Sequence, residues 1–278
     1  MSSCAELSEV AYPAKKLILN LVKEAHQPIP AAVMLRMAGL FGVEANNVRV
    51  TLNRLVRQEL LELSGRGIYV LGPRARRLAD QQSAWRHLED ELKPWKGGWL
   101  AIYTSHLGRR DRKRLRSRER AVSLLGFQDL YQGLLVRPDN LQLDLVGLTE
   151  KLHSLGLEEE ACVFRAHDFS GSCDPASQNL WPVSALNETY AKHTESMLRW
   201  TETHQKKSLE VAARESFLLG DQVLRDIAFD PRLPAAMVDV DARRRMVETM
   251  ADYDDLGKAI WRELLNRFMG EASAAEGK

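Results

Sequence analysis

Residues 43–72 read VEANNVRVTLNRLVRQELLELSGRGIYVLG. Val48, Leu52, Leu55 and Val56 recur at 3.6-residue spacing, which predicts a helix with one buried row. Asn46, Asn47, Arg49, Val50, Asn53, Arg54 and Arg57 are then left for the outward side. The end of the stretch alternates like a strand, turns at residues 64–67 and returns through Ile68, Tyr69 and Val70, the pattern of a β-hairpin.

Upstream, AKKLILNLVK places Leu17, Ile18, Leu21 and Val22 at helical spacing, with lysines on the other side. HQPIP breaks that helix. Pro30 suits the first turn of a second helix, and Gly42 suits its end. Helix, helix, short turn, helix and hairpin is the order of a winged helix-turn-helix. An outward face of amides and arginines without an acid fits the major groove of double-stranded DNA. Asn can pair with adenine, Arg with guanine, and Val50 can touch a thymine methyl. Arg66, at the hairpin tip, is placed for a phosphate or the minor groove. The blander alternatives are a solvated helix and a protein-binding module.

Downstream, residues 75–92 read as a helical connector, followed by a short apolar strand, WLAIYTS. The segment RRDRKRLRSRER, residues 109–120, opens the next helix with eight cations and two anions. Leu115, Val122 and Leu125 form its buried stripe, and Arg118, on that stripe, must snorkel or find an acid. Arg109, Arg110, Lys113, Arg116 and Arg120 lie mainly outside. They read first as a solvated or interdomain face, and second as a contact for DNA phosphates or an anionic ligand. Strand-like FQDLY and LLVRP, helical LDLVGLTEKLHSLG and strand-like ACVFRAHDF complete a βαββαβ order, a ferredoxin-like pattern.

Residues 182–205, 207–228 and 241–268 all read as helices. Leu186, Tyr190, His193, Met197 and Trp200 form one stripe, with His193 expected as a satisfied core histidine. Met246 and Met250 belong to another, read as core or as part of an apolar pocket or dimer seam. The expected class is therefore α+β. A winged helix-turn-helix domain spans residues 1–73 and a helical linker 74–96. A ferredoxin-like domain follows over 97–175 and an all-α C-terminal domain over 176–278.

Composition is that of a globular protein, with 45% apolar and 28% charged residues in 278. No run of about 18 apolar residues occurs, so no membrane span is expected. The N-terminus carries no apolar core before a cleavage site, and Cys4, Cys162 and Cys173 are widely separated, which fits the cytoplasm. Net charge is +1, but residues 1–138 sum to +10 and residues 139–278 to −9. A basic front half suits a polyanion. No metal-ligand spacing, P-loop, G-x-S-x-G or G-x-G-x-x-G is present, so no catalytic residue, metal or cofactor is expected.

Three segments carry a resemblance to a known family. VEANNVRVTLNRLVRQELL looks like the N-terminal domain of the PaaX-type transcriptional regulators. LLGFQDLYQGLLVRPDN is similar to their central motif, matching at residues 124–127, Leu130, Gly133, Val136 and Pro138. Leu135 stands where tryptophan is common, and Tyr131–Gln132 where a small residue and proline are usual. DIAFDPRLPAAMV resembles their late F-x-D-P-x-L-P signature. The resemblance implies a cytoplasmic repressor of aromatic-acid catabolism that binds palindromic operator DNA as a homodimer. It implies release by an aryl-CoA thioester such as phenylacetyl-CoA, a Cas2-like central domain and a helical C-terminal domain. Arg109, Arg110 and Lys113 are the nearest dense cations for CoA phosphates. A Cas2-like metal-dependent nuclease is the alternative. It needs a carboxylate at the end of the first strand of the central domain, where the sequence has Tyr103, Thr104, Ser105 and His106.

Overall fold

The computed structural model describes residues 12–25, 27–79, 84–169, 173–175 and 179–276. Cys4, His26 of the HQPIP break and part of the expected linker helix lie outside the described residues. Helices and strands are mixed, and the strands form two small antiparallel sheets. The chain divides into two compact units, each assembled from separate segments.

The first unit comprises Met1–Ala84, Arg199–Gly220 and Asp252–Lys278. It opens with α1 (Ala14–Ala25), β1 (Ile29–Pro30), α2 (Ala31–Gly39) and α3 (Ala45–Arg57). The hairpin β2 (Leu61–Gly65) and β3 (Ile68–Leu71) follows, then α4 (Pro73–Ala79). Sheet order is β1-β3-β2. Leu17, Ile18, Val33, Met34, Met37, Val48, Leu52 and Leu55 are buried together with Ile29 and Leu61. Pro30 does not enter the first turn of α2. It is the N-cap, with extended φ and ψ, because β1 pairs it with Ile68 just before the helix starts. Gly42 takes a left-handed φ of 69° in the turn between α2 and α3. The linker helix is shorter than its sequence propensity: α4 ends at Ala79, and residues 84–87 and 89–91 are 3-10 turns.

The second unit comprises Trp85–Leu198 and Asp221–Ala251. In order it holds β4 (Trp99–Tyr103), α5 (Arg112–Leu124), β5 (Gln128–Tyr131), β6 (Leu134–Pro138), α6 (Leu145–Leu155) and β7 (Cys162–Ala166). Every neighbouring pair is antiparallel and the sheet order is β5-β6-β4-β7. Leu100 and Ile102 of β4 pack with Ala121 and Val122 of α5 and with Leu148 and Leu152 of α6. Gly156, at φ 110°, stops α6.

Three long helices complete the chain: α7 (Val183–Thr203), α8 (Leu209–Ala228) and α9 (Val240–Glu276). Residues 199–203 of α7, 209–220 of α8 and 252–276 of α9 belong to the first unit, and the rest to the second. The helical segment expected as one domain thus contributes to both units. In the first, Phe41 stacks on Trp261 with centroids 5.9 Å apart and meets the edge of Phe217 at 5.2 Å. Arg36 of α2 lies over Phe268 at 3.9 Å and pairs with Glu271 at 2.7 Å. Met246 and Met250 are both buried at 1% exposure, so they are core residues and not part of an exposed seam. His193 is buried, with Nε2 2.7 Å from an Asp226 carboxylate oxygen.

Candidate nucleic-acid interface

In α3, Val48, Leu52 and Leu55 are at most 1% exposed, and Thr51 joins them at 2%. Val56 is half-buried, because the core row runs out near the helix end. Asn46, Asn47, Arg49, Val50, Asn53, Arg54 and Arg57 are all exposed, with Val50 at 58%. The periodicity therefore separates the two faces as the sequence leads one to expect.

Among the described residues, Arg49, Arg54 and Arg57 hold no side-chain hydrogen bond or ion pair, and neither does Arg66. A free guanidinium keeps all its donors available to a base edge or phosphate. Asn47 is different, because its Oδ1 accepts from the Thr51 hydroxyl at 3.3 Å. Thr149, Thr189, Thr194, Thr203 and Thr249 instead donate to the backbone carbonyl four residues back. The Thr51 hydroxyl thus ties down a side chain on the exposed face. Arg66 and Gly67 turn the hairpin, Gly67 at φ 70°, and Arg66 is exposed at its tip. At the hairpin base, Arg76 pairs with Glu62 at 2.6 Å and donates to the Leu71 carbonyl at 2.8 Å.

The arginine-rich segment divides by partner. Arg118 is buried and finds the acid its position demands. Its Nε and Nη2 meet the Glu158 carboxylate at 2.9 and 2.7 Å, and Nη2 also donates to the Gly108 carbonyl. This guanidinium holds the Glu158 carboxyl below the ordinary glutamate range. Arg114 lies 3.6 Å from Glu160. Asp111 caps α5 by accepting from the Lys113 and Arg114 backbone N–H groups. The remaining six cations, Arg109, Arg110, Arg112, Lys113, Arg116 and Arg120, are exposed and without a side-chain partner among the described residues. Such an arrangement opposes helix formation. Like charges four residues apart cost about 0.2–0.5 kcal/mol a pair, and cations in the first turn oppose the helix dipole by about 0.3–1 kcal/mol.

Of the three cations assigned to CoA phosphates, Lys113 lines an open cleft of about 590 Å³, and Arg109 and Arg110 do not. Asp111, Glu158, Glu159 and Glu160 also line it. Four carboxylates against Lys113 and Arg114 make a poor cradle for phosphate. At the end of β4, Ser105 donates to the Gln132 carbonyl and His106 sits 2.7 Å from the Glu160 carbonyl. Among the described residues no group of three or more His, Cys, Asp or Glu is placed to hold a metal ion. Among them also, no helix is long and apolar enough to cross a membrane.

Sequence reasoning did not foresee that the motifs at residues 124–138 and 229–234 meet. Gly126, at φ 72°, lies so near Pro231 that a Cβ there would be 2.5 Å from the Pro231 Cα. Trp181 donates to the Gly126 carbonyl at 3.1 Å. Arg137 is fully buried and donates to the carbonyls of Leu125 and Pro138 and to Asn140 Oδ1. Burial pushes its guanidinium down to about 9. Asn140 in turn donates to the Arg232 carbonyl at 2.8 Å. Asp230 accepts from the Tyr190 hydroxyl and from the Arg232 backbone N–H, both at 2.6 Å, and burial pushes its carboxyl up. These residues form a packed polar clasp. The small recess beside it is lined by Asp230, Arg232 and Arg243, and its free volume of about 10 Å³ leaves no room for an effector.

No protein-family model matches the chain, and no curated protein matches it. The fold is similar to that of a solved structure, uncharacterized protein Rv0674 from Mycobacterium tuberculosis. The TM-score is 0.59 at 23% identity, over 92% of this chain and 98% of that one. At this identity the likeness is one of fold alone.

Proposed function

We propose that this chain is a sequence-specific regulator of transcription that reads double-stranded DNA with α3. In this reading α1–α3 and the hairpin are a winged helix-turn-helix. The βαββαβ sheet is a ferredoxin-like domain of the Cas2-like kind, and α7–α9 are the helical C-terminal part. The carrying observation is the exposed face of α3, with three unpaired arginines, three asparagines and Val50, and no acid among them. Arg54 and Asn53 contact base edges, while Arg66 contacts phosphate or the minor groove.

The resemblance to the PaaX-type regulators supplies the remainder. The protein acts in the cytoplasm as a homodimer on a palindromic operator, and two-fold symmetry sets the half-site spacing. An aryl-CoA thioester releases it from the operator of an aromatic-acid catabolic operon. Such a ligand acts only through its differential affinity for two conformations. The test is a gel shift on DNA flanking the chain's own gene, with CoA thioesters added in turn. A retarded band that phenylacetyl-CoA or a related thioester dissolves is expected. The absence of any retarded species overturns the reading. Arg54→Ala should cost about 1–3 kcal/mol and relax preference at one base position, whereas Arg66→Ala weakens all sequences alike.

A further inference from the structure

The Arg112–Leu124 helix presents a second cationic surface, separate from α3. Arg112, Arg116 and Arg120 follow one another at four-residue spacing, with Lys113 beside them. At 3.6 residues per turn these four lie within about 100° of arc. Ala121, Val122 and the Arg118–Glu158 pair occupy the opposite side. Neighbouring acids are engaged elsewhere: Glu158 by Arg118, Glu160 by Arg114, and Asp111 by the backbone it caps. The stripe is therefore uncompensated, and Arg109 and Arg110 extend it beyond the helix start. A face selected only for solubility alternates its signs. This one repeats a single sign at the cost of helix stability, which an anionic partner would recover.

We infer that the outer face of α5 binds the phosphate backbone of duplex DNA, independently of base sequence. Regularly spaced unpaired cations match a regularly spaced polyanion, and contact with phosphates needs charge density without base-edge geometry. The adjoining cleft does not compete for the assignment, since its lining is dominated by carboxylates.

The full chain is titrated with a labelled 30-base-pair duplex of scrambled sequence, by fluorescence anisotropy from 50 to 200 mM salt. The variant carries Arg112→Gln, Lys113→Gln, Arg116→Gln and Arg120→Gln together. The slope of log affinity against log salt should become shallower by about 2 to 4, near one for each phosphate released. A companion with the three arginines changed to lysine should keep the slope, because the contact is one of charge. Circular dichroism confirms that both remain folded. The single pair Arg116→Gln and Arg116→Lys repeats the comparison if the quadruple variant does not fold. An unchanged slope in the glutamine variant overturns the inference. So does loss of binding to coenzyme A, single-stranded RNA or phosphatidylserine vesicles with duplex binding intact. Failure of the α3 reading is distinguishable: that protein enriches no sequence from a random duplex pool, yet its scrambled-duplex slope still responds to the α5 variant.

Discussion

Arg118 and Glu158 stand 40 residues apart in sequence and share a two-pronged, almost fully buried contact. Removing one partner strands the other charge away from water. Glu158→Gln or Arg118→Met should therefore lower stability by about 3 kcal/mol in urea denaturation at neutral pH. The paired change Arg118→Met with Glu158→Leu should restore most of that loss. Because Arg118 depresses the Glu158 carboxyl from its ordinary 4.5, the pair contributes fully above that value. Its contribution disappears as pH falls through the lower folded-state value. The gap between wild type and Glu158→Gln should narrow correspondingly in acid. The sequence shows that Arg118 sits on an apolar stripe and needs an acid. It cannot show which acid, because residue 158 comes alongside only when the strand order closes the sheet. Arg137 is less legible still, since nothing local distinguishes an arginine whose every donor ends on a neutral acceptor inside the protein.

At the scale of elements, periodicity is most informative where one face is wet and the other dry. The α3 row of Val48, Leu52 and Leu55 follows from spacing alone, and so does the βαββαβ order. The short α4 and the capping role of Pro30 do not, because neighbouring strand pairing overrides local propensity there. The joint between the turn after α5 and the loop before α9 is also tertiary. Gly126 needs both a left-handed backbone and bare space against Pro231. Gly126→Ala should therefore destabilise the protein by more than about 2 kcal/mol, read from the thermal or urea midpoint. Phe41 has the same dependence on distant packing, through Phe217 and Trp261. Trp261→Ala should cost about 3–5 kcal/mol and loosen the first unit without altering any residue of the α3 face. Near-UV circular dichroism and DNA affinity measured together separate these two effects.

For the whole molecule, the near-neutral net charge conceals halves of +10 and −9, so DNA binding should be steeply salt-dependent despite a total of +1. Deleting residues 252–278 should expose Phe41, bind an apolar dye such as ANS and abolish cooperative melting of the first unit, since Trp261, Leu264 and Phe268 leave with that segment. The same feature bears on how the chain emerges from the ribosome. The unit that begins at the N-terminus waits for residues 252–278, so the nascent chain carries an unfinished reading head for almost the whole of synthesis. A prematurely terminated product would then be a client of chaperones and proteases, with no stable fragment left to occupy DNA in place of the finished protein.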